Sequence, residues 1–296
     1  MFDVCVIGHV TRDIIRMTRA GTELPGGVAY YFSMACKSLG SRVTVVTKCR
    51  EDDRLLLSDL VTQHIPICFQ RSEQTTTCEH TYLKDPNVRR EKITGVAAPF
   101  TTEDIPHVSA SVFHVGPLTK SDISVDVLTL LSQKSRVSLD IQGFLRHIEN
   151  GKIRYTDWEQ KEEGLRYVNI LKADETEAKI LSGQMDLDRA ALRLSAYGIN
   201  EIIITRGNNG SVIYAGGKAY PIPAFIPTRI VDPTGCGDTY MAGYIFKRLQ
   251  SCPIDDAGNF AAAAASLKLE RSGPFRGTEQ DVQDFLDHQR TRAGKG

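Results

Sequence analysis

Short apolar runs alternate with helix-length segments along most of this chain, and that alternation limits the folds open to it. DVCVIG (3–8), RVTVVTK (42–48), SVFHVG (111–116), RVSLDI (136–141), VNILKA (168–173) and EIIITRG (201–207) are such runs, with a further one near 66–70. The first has no polar alternation and ends on glycine, as a strand covered on both faces does. Residues 28–40, 52–63, 123–134, 174–182 and 186–197 supply helix-length segments between runs, with Gly40 as a C-terminal cap. Helical patterns at 237–250, 255–269 and 279–289 close the chain. Strand and helix repeated in this way predict an α/β fold, a doubly wound, mostly parallel sheet flanked by helices. With 296 residues, the chain suits one domain over 1–296.

Two stretches depart from the pattern. Residues 71–95 are polar and alternating, with a turn signal at KDPN (84–87), which predicts an antiparallel hairpin wet on one face. Residues 9–20 are similarly polar. Together they predict a small β-lid over the end of the parallel sheet, or two plain surface excursions.

Charge excludes some partners. Lys+Arg and Asp+Glu balance at 36 each, which gives no electrostatic case for nucleic acid or an anionic membrane. No apolar run approaches the roughly 20 residues of a membrane helix. The N-terminus MFDVCVIGHV reads as a buried strand rather than a signal peptide. Seven cysteines, none in a CxxC pair, read as scattered thiols in a reducing cytosol, so a cytoplasmic location is expected. Neither HExxH nor close Cys/His pairing supports zinc.

The chemistry is concentrated in IVDPTGCGDTYMAGYI (230–245). Met241, Tyr244, Ile245 and Leu249 form one apolar helix face, so 235–238 lie at or near a helix N-terminus. There the first amides lack intrahelical partners, the helix dipole adds positive character, and small residues admit an anion closely. Asp238 is out of place in a simple anion site. Either it caps the helix, or it accepts the proton of a hydroxyl that attacks phosphorus.

DPTGCGD (232–238) resembles the D-[TP]-T-G-A-G-D signature of the ribokinase-like PfkB carbohydrate kinases, with Cys236 where alanine is usual. The resemblance runs along almost the whole chain in the family's order. It takes in Asp13, PGG (25–27), the lid, ADETEAKIL (173–181) against N-x-x-E, and TRGNNG (205–210) against T-x-G-x-x-G. DIQGFLR (140–146) and SGPF (272–275) resemble the inositol-kinase-like branch.

The resemblance implies a ribokinase-like domain with a β-lid that phosphorylates a hydroxyl of a small polyol, sugar or cyclitol, with ATP and Mg²⁺. It implies Asp238 as general base and the amides of Gly235, Cys236 and Gly237 as an anion hole. Glu177 would hold Mg²⁺ through water, with Asp174 beside it on the donor side. Thr205, Gly207, Gly210 and Asn259, with the Ala-rich helix 260–266, would line the nucleotide. Asp13, Gly26, Gly27, Tyr31 and Asp140 would contact the acceptor. Asp232 and Thr234 match positions that bind a monovalent cation such as K⁺ in some members, and lids of this kind allow a homodimer.

The chain departs from the family at Tyr31, which replaces a sugar-binding Asn, at Asp174, which replaces the Asn of N-x-x-E, and at RSGPFRG (271–277), which replaces Gly-Ala-x-x-Ser. A nucleoside kinase of the same fold, with Tyr30 and Tyr31 stacking a base, stays open. So does a catalytically silent sugar-binding protein.

Overall fold

Alternate residues of the first strand enter different cores. Val4 and Val6 of Phe2–Ile7 join one apolar cluster, and Cys5 and Ile7 join the other, all four fully buried. Ile203, against Ile202 and Ile204, does the same in strand Glu201–Thr205. These strands need apolar residues on both faces because both are covered, hence their unbroken apolar runs.

The computed structural model describes residues 1–16, 22–82 and 89–293. Its larger sheet has nine strands, in the order Lys218–Ile222, Ser211–Ala215, Glu201–Thr205, Ile170–Asp174, Arg136–Asp140, Ala110–Val115, Phe2–Ile7, Val43–Cys49 and Ile67–Arg71. Ser211–Ala215 runs against its neighbours, and the other pairings are parallel. Helices Val28–Ser38, Cys236–Leu249, Ile254–Leu269 and Glu279–Ala293 pack into the core on one face. Val125–Lys134, Glu175–Ser182 and Leu187–Ser195 pack on the other. This is the doubly wound, mostly parallel α/β fold that the sequence predicts.

Most expected elements fall within a residue or two of their places. Gly40 lies just past helix Val28–Ser38 with φ of +96°, and the amides of Gly40 and Ser41 donate to the carbonyls of Lys37 and Cys36. That is a Schellman ending, open to glycine because φ is positive. The expected helix 52–63 divides instead into a 3₁₀ stretch, Glu51–Leu57, and one turn of α-helix, Ser58–Thr62.

A second sheet of six strands lies across the carboxyl ends of the parallel strands. Its order is Arg146–Glu149, Lys152–Tyr155, Arg89–Gly95, Thr77–Tyr82, Thr11–Arg16 and Thr22–Gly26. Within the expected hairpin of 71–95, Thr77–Tyr82 and Arg89–Gly95 pair antiparallel, while the KDPN turn and residues 17–20 lie outside the described residues. The hairpin Arg146–Tyr155 is an addition to the expected lid, turning at Asn150 and Gly151, both with positive φ. No described helix is long and apolar enough to cross a membrane.

Candidate active site

The parallel strands end where the second sheet begins, and several of the site's groups sit at those carboxyl ends, as in open α/β sheets generally. Asp140 is the last residue of Arg136–Asp140, Asp174 is the last of Ile170–Asp174, and Lys172 stands two residues before it. Opposite them, Gly235 precedes helix Cys236–Leu249 with φ of +77°. The two sides enclose a cavity of about 230 Å³. Asp13, Gly27, Tyr31, Asp140, Thr234, Gly235, Gly237 and Asp238 all line it, so eight of the sequence-derived residues converge on one space.

Asp238 is not the helix cap. Gly235 holds that position, and no side chain caps the helix. The Asp238 carboxylate has no hydrogen-bond partner among the described residues and faces the cavity. Burial, with Asp140 and Asp13 nearby, pushes its pKa up to about 7, against the opposing pull of Lys172. A carboxylate with a pKa near neutrality is well matched to proton transfer at physiological pH.

The amides of Gly235 and Gly237 are unpartnered among the described residues, as expected of a helix first turn. Cys236 differs from the expected trio, since its amide donates to the Pro233 carbonyl at 3.2 Å and closes the turn. Burial pushes the Cys236 thiol up to about 12, so it stays neutral beside those amides. Tyr31 packs against this turn. A Cβ added at Gly235 would collide with its ring, and the positive φ would strain any other residue. Gly235→Ala should therefore displace the amides and lower kcat/KM by about two orders of magnitude. Turnover within twofold of wild type would show that the Tyr31–Gly235 contact does not set the hole.

Lys172 is among the residues that the sequence reading missed. It is a buried ammonium 2.9 Å from Asp140 Oδ2 and 3.9 Å from Glu177 Oε2. A Cβ on Gly237 would lie 3.6 Å from its Nζ, so its charge borders the first turn of the helix. Burial opposes that charge, but Asp140 and Glu177 outweigh it and hold Lys172 protonated above the ordinary lysine range. Its one sequence signal is a cation inside an otherwise apolar strand.

Asp174 and Glu177 form a capping box. Asp174 Oδ1 accepts from the Glu177 amide at 2.7 Å, and Glu177 Oε2 accepts from the Asp174 amide at 2.7 Å. Glu177 Oε1 is buried without a partner. Burial raises the Glu177 pKa against the pull of Lys172. A free buried carboxylate oxygen suits a cation held through water, the usual manner of Mg²⁺. No cluster of three or more His, Cys, Asp or Glu among the described residues could grip a metal directly.

The Asp13 end of the cavity is held in place by its neighbours. Thr11 Oγ1 donates to Asp13 Oδ1 at 2.6 Å, and Gly26 leaves no room for a Cβ beside the Asp13 carboxylate. The second sheet adds Cys78, His80, Glu91 and Arg146, none of which the sequence reading singled out. Both ring nitrogens of His80 and Arg146 Nε are buried without hydrogen-bond partners. Arg146 Nη2 lies 3.5 Å from Glu91, and His80 Nε2 3.7 Å from Asp13.

Thr205, Gly207, Gly210, Asn259 and Asp232 lie outside this cavity. Thr205 Oγ1 reaches the Ala173 carbonyl at 3.5 Å, beside Asp174, and Gly207 begins the turn that follows. Gly210 has positive φ and meets the Ile222–Ala224 backbone. Asn259 donates to the Asp255 carbonyl at 2.8 Å. Most of the alanines after it serve packing: Ala261, Ala263 and Ala264 are fully buried, and Ala261 abuts Gly243 of the neighbouring helix.

Comparison with known families matches residues 1–281 to the pfkB family carbohydrate kinases. The chain belongs to that family. It is a kinase, a phosphotransferase acting on carbohydrates or nucleosides. It is 28% identical over 284 residues to the cytidine kinase of Thermococcus kodakarensis, covering 93% of this chain and 99% of that one. It superposes with a TM-score of 0.85 on a pyrophosphate-dependent kinase of the ribokinase family complexed with a pyrophosphate analog and myo-inositol. The two are 29% identical, over 95% of this chain and 99% of the other. The Arabidopsis thaliana ribokinase complexed with ribose and ATP shares the fold, with a TM-score of 0.78 at 19% identity over 96% and 98% of the two chains.

Proposed function

We propose that this kinase transfers a phosphoryl group from ATP to a hydroxyl of a small polyol, a cyclitol such as inositol or a compact sugar. One observation carries the acceptor class. The cavity wall is a ring of acceptors and donors, Asp13, His80, Glu91, Asp140 and Arg146, in which His80 and Arg146 keep buried polar atoms without partners. Buried polar groups left unpaired are costly, so they favour a ligand that carries hydroxyls all round. Each hydroxyl donates to a carboxylate and accepts from a cation or imidazole. A nucleoside needs a flat apolar slot for its base. Tyr30 is buried outside the cavity with its hydroxyl on Asp59 at 2.6 Å, and Tyr31, which lines the cavity, is packed against Gly235, so the two do not form a slot for a base.

In this reading Asp238 takes the proton of the attacking hydroxyl. The amides of Gly235 and Gly237 and the ammonium of Lys172 meet the charge that builds on the transferring group. Mg²⁺ brought with the donor would supply further charge neutralisation, with Glu177 Oε1 as its water-mediated anchor. Thr205, Gly207, Gly210, Asn259 and Asp174 would serve the donor. The second sheet would close over the acceptor and exclude water. The outward positions of its strand Thr77–Tyr82 are Thr77, Glu79 and Thr81. That strand lacks the apolar outer face that a lid-to-lid homodimer would need.

The deciding experiment is an acceptor panel of inositols, free sugars, cytidine, adenosine and inosine, each with ATP and with pyrophosphate as donor. We expect kcat/KM to be highest for a cyclitol or sugar with ATP. A best acceptor among the nucleosides would overturn the polyol assignment. A preference for pyrophosphate would overturn the donor assignment and leave the acceptor standing.

A further inference from the structure

Lys268 stands in the last turn of helix Ile254–Leu269, and its side chain is fully buried. Its Nζ donates to the Asp232 carbonyl at 2.9 Å, to the Arg271 carbonyl at 3.2 Å and to Asp232 Oδ2 at 3.3 Å. The same carboxylate is engaged on both sides. Oδ1 accepts from the Thr234 amide at 2.9 Å, and Oδ2 lies 3.4 Å from the Gly273 amide. The amides of Val231 and Asp232 donate to the Leu269 carbonyl, which ties the same two segments together. One ammonium thus sits in an oxygen cradle between the chain entering Pro233–Cys236 and the turn after the Ala-rich helix.

Burying a lone cation costs several kcal/mol unless oxygens replace its water. Two carbonyls and a carboxylate do so here, a hard-oxygen set of the kind a dissolved monovalent cation would also use. Resemblance to the family suggested such an ion at Asp232 and Thr234. These residues do not fit it, because Lys268 occupies the cradle and its Nζ takes the Asp232 carbonyl and carboxylate oxygens that such an ion would need. The ammonium's field extends to the anion hole, where it opposes the effect of burial on the Cys236 thiol. Burial also works against the charge on Asp232, but the Thr234 amide and Lys268 keep its pKa below the ordinary carboxylate value.

We propose that Lys268 is a tethered monovalent cation: it fixes the Asp232–Gly235 turn that presents the anion-hole amides, and so frees the enzyme from dependence on dissolved K⁺. Lys268 is a positioning residue, since it acts through Asp232 and the turn rather than on the transferring group. The proposal rests on the family's phosphotransfer chemistry.

The test compares wild type with Lys268→Ala in Mg²⁺-containing buffers whose only monovalent cation is choline, then with added K⁺ or methylammonium. Wild-type kcat should agree within about twofold across all of them. Lys268→Ala should lose at least about tenfold in kcat in choline, with KM for the acceptor little changed, and regain most of it with either small cation. Its melting temperature should rise with K⁺, whereas that of wild type should not. The melting comparison needs no turnover, so it decides the cradle even if no polyol proves to be a substrate. Activation of wild type by K⁺ would overturn the proposal whether or not the variant folds. So would a folded variant whose kcat and melting temperature ignore every cation.

Discussion

Asp238→Asn lowers kcat by at least about two orders of magnitude with any acceptor and leaves the fold intact. Asn keeps the shape of the side chain but cannot take a proton. For wild type, kcat/KM should rise with pH through an apparent pKa near 7, the value to which burial and the neighbouring Asp140 push Asp238. The same shift fixes the sign of a stability effect. The folded-state pKa lies above the ordinary Asp value, so between the two the folded chain binds the extra proton and stability falls as pH rises. The penalty is complete above about pH 7 and absent below about pH 4. Asp238→Asn should therefore melt above wild type at pH 8 and level with it near pH 4. Unchanged turnover would remove Asp238 from the role of base. A variant less stable than wild type at pH 8 would show that the carboxylate is better paired than its geometry indicates.

Lys172→Met carries the second large effect. It leaves Asp140 and Glu177 buried without their cation, a loss of about 3–5 kcal/mol for a broken buried pair. For a chain of this size, that corresponds to a melting temperature lower by roughly 10 °C. The deficit should widen with rising pH, because Glu177, already raised by burial, loses the opposing pull of Lys172 and resists ionisation further. Adding Asp140→Asn to Lys172→Met should restore part of the stability, which shows that the pair is coupled. It should not restore kcat, because the charge beside Gly237 is still missing. Melting within 2 °C of wild type, with normal kcat, would mean that Lys172 is neither a keystone of the charge cluster nor part of the anion hole.

The larger sheet was legible because its strands are apolar on both faces, a pattern that polar loops do not imitate. Asp238 was legible through the small residues around it, although its alternative role as helix cap fell only when Gly235 proved to hold that position. Two antiparallel pairs were overlooked despite strong signals. Asn150–Gly151 and Gly216–Gly217 are two-residue turns with positive φ at both positions, flanked by the pairs Glu149–Lys152 and Ala215–Lys218. Such dipeptides between strand-like runs are hairpin markers. The Asp174–Glu177 capping box was equally readable, but family resemblance drew attention to cation binding instead. Lys172 and Lys268 were hidden for another reason. A sequence shows that a lysine is present, but only the packing of distant segments determines which oxygens surround it.

The smaller sheet brings together three stretches that are far apart in the chain: 11–26, 77–95 and 146–155. It cannot act as a flap hung from a single hinge. Its strands can meet only after intervening crossovers have set their ends side by side, so the acceptor wall is a late product of folding. For the same reason an acceptor that touches Asp13, His80 and Arg146 together bridges all three stretches at once, and stiffens a rim that no short deletion or graft could reproduce.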